Sequence, residues 1–133
     1  MSILLVEDNP ADATLVRKAL EQHGVRGELT VFVDGERAVD FIAALDAQPL
    51  QCPDLVIIDL NLPKKPGREV LSSLRLSAHC GKVPAIILSS SDAQDDQADA
   101  AKFGATRYLR KPSRLDDFLA LGAIFKATLT GLR

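Results

Sequence analysis

The sequence predicts an α/β domain in which five parallel strands, covered by helices on both faces, form a doubly wound sheet. Three observations lead there. Short apolar runs alternate with stretches of helical periodicity along the whole chain, the pattern of strand–helix units joined by right-handed crossovers. The central run, Leu55, Val56, Ile57 and Ile58, is unbroken, mostly β-branched and flanked by Pro53 and Pro63, as a strand buried on both faces reads. Polar and charged residues follow several of the runs, at the sheet edge where open α/β folds bind ligands. The order 2-1-3-4-5 is adopted from the doubly wound class rather than forced by particular residues; it opens a crevice between strands 1 and 3.

Each element has a local reason. Strand 1 is expected over 3–6, and Asn9-Pro10 then opens a helix, with proline in its first turn and Asp12 placed to suit the helix dipole. Leu15, Val16, Ala19 and Leu20 form its core face, and His23-Gly24 ends it. Strand 2 is expected over 29–33. Asp34-Gly35 turns into a helix carrying Ala38, Val39, Phe41, Ile42 and Leu45, and a loop with Pro49 is expected over 46–52. After strand 3 comes a rigid turn, Pro63-Lys64-Lys65-Pro66-Gly67, and a helix marked by Val70, Leu71, Leu74 and Leu76. Strand 4 is expected over 85–88, followed by a helix capped by Asp92, lasting to Phe103 and stopped by Gly104. The acidic outer face of that helix (Asp95, Asp96, Asp99) reads as solvation. Strand 5 is expected over 106–110; Lys111-Pro112 breaks it, and Ser113 is placed to cap a last helix beginning near Arg114.

Composition narrows the function classes. With 133 residues, 47% of them hydrophobic and 26% charged, the chain can bury a core without staples. A net charge of -2 gives no electrostatic case for nucleic acid or an anionic membrane. The run at 3–6 meets Glu7-Asp8 at once, so neither a signal peptide nor a membrane span is expected, and the protein is read as cytoplasmic. In that compartment Cys52 and Cys80 are expected to be two reduced thiols near the sheet end opposite the crevice. His23 and His79 read as surface residues.

The strand ends carry the chemistry. Glu7 and Asp8 follow strand 1, Asp59 ends strand 3, Ser89 follows strand 4 and Lys111 follows strand 5. Three carboxylates converging on one crevice repel one another, and a hard divalent cation such as Mg²⁺, which prefers oxygen ligands, relieves that. Lys111 adds a second positive charge and Ser89 a hydroxyl donor. Cations and donors gathered around one carboxylate suit phosphoryl transfer, and an aspartate can itself accept a phosphoryl group. Taken singly, each residue has an ordinary reading: a helix cap for Asp59, a strand exit for Lys111-Pro112, a half-buried aromatic for Tyr108.

The run Leu5-Val6-Glu7-Asp8-Asn9, the turn from Asp59 to Pro63 with Gly67, Ser89, and Tyr108 ahead of Lys111-Pro112 resemble the receiver domain of two-component response regulators. Within that family Asn9-Pro10-Ala11-Asp12 and the segment 62–71 look most like single-domain, CheY-like regulators paired with phytochrome-type histidine kinases. The resemblance implies a CheY-like, flavodoxin-like fold and one receiver domain over 1–133 with no output domain. It implies that Asp59 takes a phosphoryl group from a sensor histidine kinase in a phosphorelay. It further implies Mg²⁺ held by Asp8, Asp59 and the Asn61 carbonyl, with Glu7 acting through water. Lys111 would pair with the phosphoryl oxygens or Asp59, and Ser89 and Tyr108 would form the switch toward the helix 4–strand 5–helix 5 surface. Asn61 and Ser91 fall where the family tunes phosphoryl lifetime. Such a protein is no enzyme beyond its own phosphorylation and dephosphorylation. Pro66 departs from the small acid or Asn of many members, and Glu7 from the shorter acid of some.

Two further expectations concern partners and rivals. On one continuous last helix, Leu115, Phe118, Gly122, Phe125 and Leu129 would form the core stripe, leaving Leu121 at its margin and Ile124 outside; that wide apolar face predicts a homodimer contact. An aspartate-nucleophile phosphatase, with Asp59 and Asn61 as a D-x-D pair, would need a cap domain for which 133 residues leave no room. A flavin module would want a phosphate loop after strand 1, where Glu7-Asp8 repels phosphate. An interaction domain that is never phosphorylated would be expected to lack Asp59 or Lys111.

Overall fold

A computed structural model describes residues 1–47, 51–90 and 93–131. The elements run β1 (Ser2–Val6), α1 (Pro10–Gln22), β2 (Glu28–Phe32), α2 (Gly35–Ala47), β3 (Leu55–Ile58), α3 (Gly67–Leu76), β4 (Ala85–Ser89), α4 (Gln94–Lys102), β5 (Arg107–Arg110), α5 (Leu115–Ala120) and α6 (Gly122–Thr130). All pairings are parallel and the strand order is β2-β1-β3-β4-β5, as the sequence predicts.

Side-chain alternation splits the core into two layers. Leu4, Val6, Val56, Ile58, Ala85 and Ile87 face one side, where Ile42, Leu45, Val70, Leu71 and Leu74 of α2 and α3 cover them. Ile3, Leu5, Leu55, Ile57, Ile86 and Leu88 face the other, against Val16, Ala19 and Leu20 of α1 and Phe118, Leu121 and Phe125 of the C-terminal helices. Because β1, β3 and β4 are buried on both faces, apolar residues occupy every position of β3 rather than alternate ones. That leaves chemistry to the strand ends.

Capping follows the sequence at α1, where Asn9 Oδ1 accepts from the N–H of Ala11 (2.9 Å) and Asp12 (3.2 Å). Asp34 Oδ1 likewise accepts from the Arg37 N–H at 2.8 Å. It does not follow at α5, whose N-cap is Arg114 without a side-chain bond, so Ser113 is not the cap. Ala93 holds the N-cap position of α4; Asp92, Ser91 and Pro49 lie outside the described residues. Asp46, expected in a loop, belongs to the last turn of α2. Leu76 and Leu115 lie outside the core at 82% and 57% exposed, the first at the end of α3 and the second at the start of α5, where each helix turns it to solvent.

The thiol expectation is overturned: Cys52 and Cys80 form a disulfide. They stand ahead of β3 and β4, which are neighbours, so their Cα atoms come within 5.6 Å, the spacing a disulfide needs. The C-terminal helix also departs from expectation. It breaks at Leu121, whose N–H turns back to the Phe118 carbonyl (3.1 Å), and α6 starts afresh at Gly122. Phe118, Gly122 and Phe125 keep the expected core phase across the break, but Leu121 is buried beside them and Ile124 packs half-buried against the core, so neither stands on the free outer face on which a dimer was expected. Gly122 sits where a Cβ would lie 2.3 Å from the Ala19 carbonyl oxygen, which brings α6 tight against α1. Among the described residues no helix is long and apolar enough to cross a membrane.

Candidate functional site

The crevice forms where the C-terminal ends of β1 and β3 meet. Glu7, directly after β1, is 2% exposed, and its N–H is tied to the Phe32 carbonyl of β2 at 2.9 Å. Asp8 follows it at the surface. Asp59, directly after β3, is 6% exposed; its N–H donates to the Val6 carbonyl at 3.0 Å, and its Oδ1 accepts the Asn61 N–H at 3.1 Å. One carboxylate oxygen each from Glu7, Asp8 and Asp59 lie within 4.8 Å of one another.

Lys111 enters from the end of β5, where its N–H donates to the Ser89 carbonyl at 2.7 Å. Its ammonium touches Glu7 Oε1 at 2.6 Å, Asp12 Oδ2 at 2.8 Å and Asp59 Oδ2 at 3.1 Å. Ser89 is fully buried at the end of β4, and Tyr108 on β5 is half-buried against the α2–α3 core layer, pairing in register with Ile87. Asn61 is exposed in the turn after Asp59.

The electrostatics follow from this crowding. Burial pushes the Glu7 carboxyl from 4.5 up to about 7, and the neighbouring Asp59 adds to the rise against the opposing pull of Lys111. For Lys111 burial alone would lower the ammonium, but its bonds to Asp12 and Glu7 and the charges of Glu7 and Asp59 outweigh burial and raise it. The lysine therefore stays charged. A hard divalent cation fits this donor set of hard carboxylate oxygens at short mutual distance, one of them buried and reluctant to ionise alone.

The turn 59–67 fixes Asp59. Lys64 is the one described non-glycine residue with positive φ (69°), the Lys65 N–H returns to the Pro63 carbonyl at 2.8 Å, and the Gly67 N–H closes on the Leu60 carbonyl at 2.9 Å. A Cβ on Gly67 would stand 2.1 Å from the Asp59 carbonyl oxygen. Gly67→Ala is accordingly expected to destabilise the fold by about 2 kcal/mol, read as a lowered urea midpoint, because backbone rather than a flexible side chain must move. Beside this turn, Asn61, Pro66 and Arg68 share a cleft of about 140 Å³ with Asp96 and Asp99 of α4, so two acids of the supposedly plain face border the site.

Asp12 was not singled out for the site in the sequence beyond its suitability to a helix dipole. Its position in the first turn of the helix that leaves the Glu7-Asp8 strand end was the available signal.

A five-stranded sheet of this order, with acids and one lysine at the mouth of β1, β3 and β5, defines a class of signalling domains, and comparison bears this out. The family model described as response regulator receiver domain matches residues 3–121, and the chain belongs to that family. Response regulator Rcp1 of Synechocystis sp. is 34% identical over 120 residues, covering 90% of this chain and 82% of Rcp1. The phosphorylated cyanobacterial phytochrome response regulator RcpA superposes with a TM-score of 0.88 at 30% identity, covering 99% of this chain and 95% of RcpA. The receiver domain of sensor histidine kinase PA1611 from Pseudomonas aeruginosa, solved with magnesium in its active-site cleft, gives a TM-score of 0.76 at 29% identity, covering 97% of each chain. Rcp1 has likewise been solved in a Mn²⁺-bound form (TM-score 0.83, 32% identity, covering 95% of this chain and 91% of that one). The protein is thus a receiver-domain response regulator, a signalling module.

Proposed function

We propose that the protein is a single-domain response regulator that accepts a phosphoryl group on Asp59 from the phosphohistidine of a sensor kinase. The observation that carries this reading is the Asp59 carboxylate, 6% exposed at the end of β3, with the Lys111 ammonium 3.1 Å from its Oδ2. In the transfer an Asp59 oxygen forms the new P–O bond, the P–N bond to the kinase imidazole breaks, and the departing imidazole takes a proton. Lys111 meets the charge on the transferred oxygens, and the Asn61 N–H holds Oδ1 so that the carboxylate keeps its orientation.

Asp8, Asp59 and the Asn61 carbonyl would hold Mg²⁺, with Glu7 acting through water; when bound, the ion neutralises charge on the phosphoryl oxygens. Ser89, at the end of β4, and Tyr108, within the adjacent β5, are the residues we assign to the switch. The added charge of the phosphoryl group draws Ser89 and lets Tyr108 turn inward, changing the α4–β5–α5 surface. Similarity to the phytochrome response regulator RcpA along most of its length supports a phytochrome-type kinase as partner.

Incubation with acetyl phosphate and Mg²⁺ followed by intact mass is expected to show a phosphate-sized gain that Asp59→Asn abolishes. The same gain in Asp59→Asn, or steady hydrolysis of phosphate esters, would overturn the reading.

A further inference from the structure

An ammonium carries three N–H bonds, and in Lys111 each has an acceptor. The contacts lengthen from Glu7 (2.6 Å) through Asp12 (2.8 Å) to Asp59 (3.1 Å). These acceptors differ in kind. Glu7 and Asp59 also belong, with Asp8, to the group whose carboxylate oxygens lie within 4.8 Å of one another; Asp12 does not. Asp12 therefore acts on the ammonium from outside the cation-binding group. It is also anchored independently, since its N–H is fixed by Asn9 Oδ1 at 3.2 Å in the first turn of α1. Its side chain is 22% exposed, against 1% for Glu7 and 8% for Asp59.

We propose that Asp12 is a positioning residue that holds the Lys111 ammonium toward α1 and competes for it with the phosphoryl group on Asp59. The inference rests on the reading of Asp59 as phosphoryl acceptor and deepens it. The Asp59 contact, the longest of the three, passes to the phosphoryl group as that carboxylate becomes an uncharged acyl oxygen, and because the lysine has no spare hydrogen a second phosphoryl oxygen is met only if a further contact yields. Glu7 makes the shortest bond and is almost sealed from water, so giving it up would strand a buried carboxyl. Asp12 is the contact that water can replace. The crevice thus accepts the phosphoryl group by exchanging one anion on Lys111 for another, and the strength of the Asp12 contact sets how readily the exchange occurs.

The test is titration of the purified protein with beryllium fluoride, a phosphoryl mimic, at saturating Mg²⁺, followed by ¹⁹F NMR. Asp12→Asn keeps the shape and one acceptor oxygen but removes the charge, and it is expected to tighten beryllium fluoride binding about fivefold. Magnesium affinity alone is expected to fall about twofold rather than rise, because Asp12 gives the cation-binding group its charge but no oxygen. Asp12→Glu, which restores the charge, should bring binding back to the wild-type value. In a Lys111→Met background the Asp12→Asn gain should vanish.

Unchanged or weaker beryllium fluoride binding by Asp12→Asn overturns the proposal. So does a gain of equal size without Lys111, or binding by Asp12→Glu as tight as by Asp12→Asn. Failure of the underlying reading would look different: beryllium fluoride would then bind wild type and Asp59→Asn alike, whatever stands at position 12.

Discussion

Reducing the Cys52–Cys80 disulfide is expected to cost the protein about 3 to 4 kcal/mol of stability, the loop-closure entropy that a cross-link of this span removes from the unfolded chain. The bond joins residues 28 apart in sequence and encloses β3, the turn behind Asp59 and all of α3. The folded side should change little, because the turn after α3 has its own ties. Ser77 Oγ donates to Asp46 Oδ1 at 2.6 Å and accepts the Cys80 N–H at 3.0 Å, and the Asp46 carboxylate also takes the N–H of Ala78 and His79. The Ser77 bond is the chief reason the Asp46 carboxyl is held below its usual range. Urea unfolding with and without reductant should differ by about 2 M in midpoint. Equal midpoints, or two alkylatable thiols in the native protein, would contradict the expectation.

Magnesium uptake is expected to expel a proton near neutrality and to weaken about 20-fold between roughly pH 7.5 and 5.5. The cause is Glu7, raised to about 7 first by burial and then by Asp59. Below that pH the carboxyl is mostly protonated, and a cation among Glu7, Asp8 and Asp59 favours its ionised form, so affinity climbs with pH and levels off above about 8. The same shift fixes the sign for stability. A folded value above the ordinary 4.5 gives a contribution present below that value and lost as pH rises through about 7. The metal-free protein should therefore lose stability as pH rises from 4.5 to about 7 and change little above, and magnesium should restore it. Calorimetry in buffers of differing ionisation enthalpy would count the proton, and Glu7→Gln should flatten the pH profile. Affinity independent of pH, with no proton released, would refute this account.

How far such features can be read from sequence depends on the range of the interaction behind them. The unbroken apolar run of β3 announced a strand buried on both faces, and the shift from apolar to acidic at Glu7-Asp8 and Asp59 marked the crevice, since each signal lies within a few residues. Asp12 stands in the first turn of α1 as expected, but its bond to Lys111 was not foreseen, because that partner is 99 residues away. The disulfide was missed through a general rule about compartments, although the anticipated strand order already set β3 beside β4 and so brought the two cysteines into reach. The dimer face came from expecting too narrow a buried stripe, since the sheet and α1 also cover Leu121 and part of Ile124. Nothing in the periodicity marks the break at Leu121, and the close approach of Gly122 to Ala19 appears only once α1 and α6 are packed.

That close approach makes α1 common to both ends of the molecule. Its first turn offers Asp12 to the lysine, while its last turns carry Ala19 and His23 against Gly122. Thirteen residues of helix make a strut about 20 Å long. One rigid helix thus joins the residue that holds the ammonium to the seat of the C-terminal helix, with no loop between them.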